Sequence, residues 1–102
     1  MTVDEFTQLA LSFEGVSEKP HFDRTSFRTN RIFATVEEKG PSANLKFTPE
    51  DQSSFCDFGN GAIYAVPNKW GAQGWTTFEF TKLPYELMKD AIETAHRSSL
   101  KK

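Results

Sequence analysis

Residues 32–47 read I-F-A-T-V-E-E-K-G-P-S-A-N-L-K-F. Ile32, Ala34 and Val36 alternate with Phe33 and Thr35, and Ala43, Leu45 and Phe47 alternate with Asn44 and Lys46. A period of two is the signature of a strand with one covered face. Glu38-Lys39-Gly40-Pro41-Ser42, between the two runs, is turn chemistry. So short a connection joins antiparallel neighbours, because a parallel pair needs a crossover. Upstream, Phe27 begins another strand and Asn30-Arg31 suits a tight turn, so the segment 27–36 reads as a β-hairpin. Three consecutive antiparallel strands are therefore expected at the centre of the chain.

Helical signals flank them. Thr2-Val3-Asp4-Glu5 is a capping box, followed by Val3, Phe6, Leu9, Ala10 and Phe13 at helical spacing, with Gly15 as a stop. A first helix is expected over about residues 3–13. Residues 16–24 show no clean period and read as a loop. Thr48-Pro49-Glu50-Asp51 starts a short helix, with a capping hydroxyl, proline in the first turn and acids at the positive end of the dipole. It ends before Gly59-Asn60-Gly61. Residues 62–66 read as a fourth strand and 75–80 as a fifth. Pro84 opens the last helix, whose apolar stripe is Leu87, Met88, Ala91, Ile92 and Ala95. The expected fold class is α+β: a two-layer sandwich with a five-stranded antiparallel sheet, N- and C-terminal helices on one face, and a short helix between strands 3 and 4. The other sheet face is expected to meet solvent.

The composition fits one globular domain of 102 residues. Ten phenylalanines suit a core of rings packed on a pleated surface. Cys56 is the only cysteine, which excludes an internal disulfide and a cysteine-based metal site. The N-terminus M-T-V-D-E-F lacks the basic and apolar regions of a signal peptide, and the longest apolar run, 62–66, is far below the roughly 20 residues of a membrane span. A soluble cytoplasmic protein, monomeric by default and without cofactor or metal, is the expectation. The net charge of −2 argues against strong indiscriminate nucleic-acid binding. The charge is nevertheless uneven: residues 1–18 carry −4, and residues 19–46 carry +3.

Four stretches together are similar to the MmcQ/YjbR family: L-A-L-S-F-E-G-V-S-E-K-P-H-F (9–22), S-F-R-T-N-R-I-F-A-T (26–35), A-N-L-K-F-T-P-E-D-Q (43–52) and Y-A-V-P-N-K-W-G-A-Q-G-W-T (64–76). The resemblance covers nearly the whole chain. It implies a frataxin-like (CyaY-like) sandwich and DNA binding through a double-wing arrangement of hairpins. Carried over by position, the matching residues include His21, Arg24, Arg28, Asn44, Lys46, Asn68, Lys69, Trp70 and Trp75.

The last stretch holds both tryptophans. Gly71 and Gly74 permit positive φ or close backbone approach. Trp70, beside Lys69, is a candidate stacking platform for bases. Lys46 and Arg28 are candidates for phosphate contact, and Asn44, Asn68 and Gln73 for base edges. Arg24, Arg28, Lys46, Asn68, Lys69 and Trp70 make up the candidate nucleic-acid site, with His21, Asn44, Gln73 and Trp75 as cleft residues. Each has a plainer reading. A strand position for Trp75 favours core packing, Trp70 can lid the sheet edge, His21 after proline suits a loop anchor, and both arginines can bond within the fold.

Enzyme signals are weak. Cys56 and His96 can pair only if the fold joins them. Ser26, His21 and Asp23 lack an oxyanion motif, and Gly71-Ala72-Gln73-Gly74 is no phosphate loop. A non-enzymatic nucleic-acid-binding module is the leading expectation. A small-ligand or protein-binding domain using the same cleft, or a frataxin-like metal or partner scaffold built on Asp4, Glu5, Glu14 and Glu18, are the alternatives.

Overall fold

The structure, a computed structural model, describes residues 1–101, the side chain of His21 excepted. The helices begin where their caps direct. In α1 (Val3–Leu11), the Thr2 hydroxyl accepts from the Glu5 N–H at 3.1 Å, and the Glu5 carboxylate accepts from the Thr2 N–H at 2.8 Å. That second bond holds the Glu5 carboxyl below its ordinary range. The helix ends at Leu11, two residues before the expected end, after burying Phe6, Leu9 and Ala10. In α2 (Pro49–Phe58), Thr48 caps the Asp51 N–H at 3.2 Å and Phe55 turns inward. A four-residue helix, α3 (Lys69–Ala72), occupies what reads as loop, and α4 (Tyr85–Ser99) follows a 3-10 turn at Phe80–Lys82.

The sheet has six strands rather than the expected five: β1 (Ser17–His21), β2 (Arg24–Arg28), β3 (Ile32–Glu37), β4 (Ser42–Lys46), β5 (Ile63–Ala65) and β6 (Trp75–Phe78). Their order is β1-β2-β3-β4-β6-β5, with every neighbouring pair antiparallel. The additional strand is β1, from the segment that shows no alternation. It lies at an edge, where Pro20 is tolerated. It joins β2 through the two-residue turn Phe22-Asp23, with Phe22 at φ 59°. Hairpin turns of this length normally put glycine or asparagine at positive φ, so neither the strand nor its turn carries the usual signal.

Register separates the two faces. Phe27, Ala34, Leu45 and Thr76 share one row, and Thr25, Val36, Ala43 and Phe78 the next. These rows lie on the face covered by α1 and α4, which pack on β3 and on each other. Phe6 stacks on Phe80 at 5.6 Å between ring centres and meets the edge of Phe27 at 5.8 Å. Phe47, Phe55 and Phe78 form a second ring cluster under α2. Phe33 is the extra residue of a β-bulge between Phe27 and Arg28. Like Ala34 it is buried, and it presents its ring to His96. The opposite, more open face carries the row Lys19, Ser26, Thr35, Asn44, Thr77 and Tyr64, of which Ser26 alone is buried.

Candidate nucleic-acid interface

The segment between β5 and β6 is built on backbone proximity. The Asn68 side chain accepts from the Trp70 N–H at 2.8 Å and starts α3. A Cβ on Gly71 would fall onto the Val66 carbonyl oxygen, and one on Gly74 onto that of Phe47. Gly74 also stands at φ 104°. Both glycines therefore do the work their positions suggest, Gly71 by close approach and Gly74 by close approach and by φ.

A residue that no local pattern marks out holds this segment in place. The side-chain amide of Gln52, on α2, donates to the carbonyls of Gly71 (3.0 Å) and Trp75 (3.3 Å) and to the Thr76 hydroxyl (3.1 Å). Two N–H groups thus serve three acceptors. Gln52→Ala removes these bonds while the Gly71 and Trp75 carbonyls keep their backbone donors, Gly74 N–H and Val66 N–H, and is expected to cost about 1 kcal/mol. A urea titration checks this, with faster amide exchange around 71–76 as the local sign.

The predicted residues fall into two groups. Trp70 is 50% exposed, with the Lys69 ammonium 5.9 Å from its ring centre, within cation–π range. Gln73 and Asn68 are exposed beside it, although the Asn68 oxygen is committed to capping. Trp75 is half-buried and outside the hydrophobic core. Thr76 and Phe78 take the covered face, so Trp75 lies on the open face as the cross-strand partner of Lys46. Direct partners of this kind bring Cβ atoms within about 5.5 Å. Arg28 ends β2 at this same end of the sheet, where β3 begins.

Arg24 is separate. It sits four residues back along β2, a distance of about 13 Å. Its guanidinium donates to Glu37 at 3.0 Å and to Thr35 at 3.2 Å. Asn44 lies mid-sheet, its oxygen accepting from Thr77 at 2.8 Å. The backbone of His21 pairs with Arg24 at the far end; its side chain lies outside the described residues.

The described side chains considered for catalysis are engaged separately. His96 is buried between Phe13 (5.2 Å) and Phe33 (5.8 Å), with Nε2 2.8 Å from the Glu14 carbonyl. Burial, then the neighbouring Asp57 charge, pushes the Cys56 thiol up, away from the thiolate a nucleophile needs. Ser26 donates to the Lys19 carbonyl at 3.1 Å. Among the described residues, no three His, Cys, Asp or Glu side chains stand close enough to hold a metal ion, and no helix is long and apolar enough to cross a membrane.

A family model described as YjbR matches residues 11–98. The chain belongs to the YjbR family. The matched span takes in all six strands and stops short of most of α1. Two solved structures are similar. One is a Deinococcus radiodurans protein with a DUF419 domain, at TM-score 0.73 and 19% identity, covering 89% of this chain and 72% of that one. The other is a Pseudomonas syringae protein, at TM-score 0.74 and 18% identity, covering 97% and 99% respectively. At these identities the likeness shows a shared YjbR-type α+β fold. No curated protein matches.

Proposed function

We propose that this YjbR-family chain is a non-enzymatic nucleic-acid-binding module that uses the end of the sheet where α3 sits. The observation that carries the proposal is the half-exposed Trp70 under Lys69, at the same sheet end as the Lys46–Trp75 pair. Indoles accept the π-face of any base, and ammonium groups accept phosphate, so this combination favours sequence-tolerant binding. The β2–β3 hairpin, with Arg28 at its turn, and the α3 segment are the two wings, with β4 between them. Arg24, already paired with Glu37, contributes to the fold of the first wing and not to phosphate contact.

Binding through about three cations gives a slope of log K against log salt near −3, with affinity in the range of non-specific complexes. Anisotropy of a labelled oligonucleotide at low salt, as single strand and as duplex, measures both. The triple variant Lys46→Ala/Lys69→Ala/Trp70→Ala is expected to abolish binding with little change in melting temperature, since all three side chains reach the surface. Unchanged affinity in that variant excludes the site.

A further inference from the structure

The C-terminal turn of α4 passes over the end of the sheet and leaves a cavity of about 250 Å³ there. Three cations line it from three separate parts of the chain. Arg31 comes from the β2–β3 turn, Lys46 from β4, and Lys101 from the residues after α4. Among the described residues, no carboxylate lines it and none of the three pairs with an acid. In a chain of net charge −2, three unpaired cations around one cavity are a concentrated local reversal of sign. Asp51 lines an adjoining cleft that shares Thr48, Ser98 and Lys101 with the cavity and brings in a further cation, Arg97.

The rest of the lining is of two kinds. Ile32, Phe33, Phe47 and Ala95 are apolar, whereas Thr48, Ser98 and Ser99 present hydroxyls. Ser99 is committed, donating to the His96 carbonyl at 2.6 Å and meeting the Thr29 hydroxyl at 2.7 Å. The Thr48 oxygen accepts from the Asp51 N–H and keeps its own proton to donate. The space holds about eight water molecules and lies just below the usual range of small-molecule pockets. It is too small for a nucleotide pair and large enough for a phosphate on a compact apolar body.

We propose that this cavity is a binding site for a small phosphomonoester. Its phosphate is held by Arg31 and Lys101, with Lys46 adding charge from the rim, where the strand turns it to the open face, and its apolar part rests against Phe33, Phe47 and Ala95. Arg31 supplies the planar fork that suits phosphate, and the lysines supply charge. The site shares only Lys46 with the nucleic-acid reading and does not depend on it.

Phenyl phosphate is the probe, followed by amide chemical-shift titration of the full chain. Saturable shifts at Phe47, Ala95, Ser98, Ser99 and Lys101 are expected. Inorganic phosphate should bind at least several-fold more weakly, for want of the apolar contact, and phenol should produce no saturable shift. Arg31→Glu and Lys101→Glu should each weaken phenyl phosphate about tenfold or more. Both side chains are exposed, so melting temperatures should barely move. Lys69→Ala/Trp70→Ala should leave phenyl phosphate binding intact, which separates this site from the nucleic-acid surface. Absence of saturable shifts, or equal affinity in wild type and Arg31→Glu, overturns the proposal; phenol binding as well as phenyl phosphate does so too.

Discussion

Gly74→Ala is expected to destabilise the protein by about 3–5 kcal/mol, enough to remove much of the 5–15 kcal/mol a domain of this kind possesses. Two independent costs combine. A residue with a Cβ at φ 104° sits outside the ordinary left-handed well, at about 1–3 kcal/mol. That Cβ also meets the Phe47 carbonyl, a backbone atom with no rotamer to escape into, and overpacking of this sort costs a further 1–3 kcal/mol. The strand junction itself is at stake, because the Phe47 N–H donates to the Gly74 carbonyl at 3.0 Å and ties the end of β4 to β6. Gly40 is the control. It stands at φ 63°, and a Cβ added there would have nothing within 4 Å, so Gly40→Ala bears only the backbone cost, about 1 kcal/mol. Thermal melts followed by circular dichroism should place Gly74→Ala about 15 °C or more below wild type. If both variants melted alike, the close approach to Phe47 would have no energetic weight.

The second large effect is expected at Phe6. Its ring is fully buried, stacked on Phe80 and edge-on to Phe27, so one side chain bridges α1, the strand β2 and the turn before α4. Truncation of a buried phenylalanine costs about 3–5 kcal/mol, through lost transfer free energy and the cavity left behind. Ring–ring geometry adds a little beyond area. Phe6→Ala should therefore lower the urea midpoint steeply, and Phe6→Leu should recover a good part of it. Leu11→Ala, at 37% exposure on the same helix, should cost far less. Phe6 lies outside the span matched by the family model. A severe Phe6→Ala phenotype would establish α1 as part of the folding unit; a mild one would make it an appendage.

What was readable in the sequence was whatever is local. Thr2 with Glu5, and Thr48 with Asp51, announce their helices because the capping partners are three residues apart. The alternation at 32–36 and 43–47 gives the central strands. Lys69 beside Trp70 is legible for the same reason. β1 is not, since an edge strand buries little and needs no apolar period, and its turn uses phenylalanine at a glycine-like position. The side of Trp75 is decided by Thr76 and Phe78 entering the core, a choice that alternation alone leaves open. Gln52 is a plain helical polar residue until the fold brings residues 71–76 to its amide. The engagement of Arg24 by Glu37 follows only from hairpin register. The cavity around Arg31, Lys46 and Lys101 joins positions up to 70 residues apart, beyond any pattern in a single sequence.

The outermost strands of the sheet have one more consequence. One border carries Glu18, Lys19 and Pro20, and the other is only three residues long. Charge, a missing amide hydrogen and brevity are the devices that keep unsatisfied backbone from recruiting a second molecule. Both rims of this open sheet are thereby made poor templates for fibrous growth, so the protein can be kept concentrated without its strands zipping together.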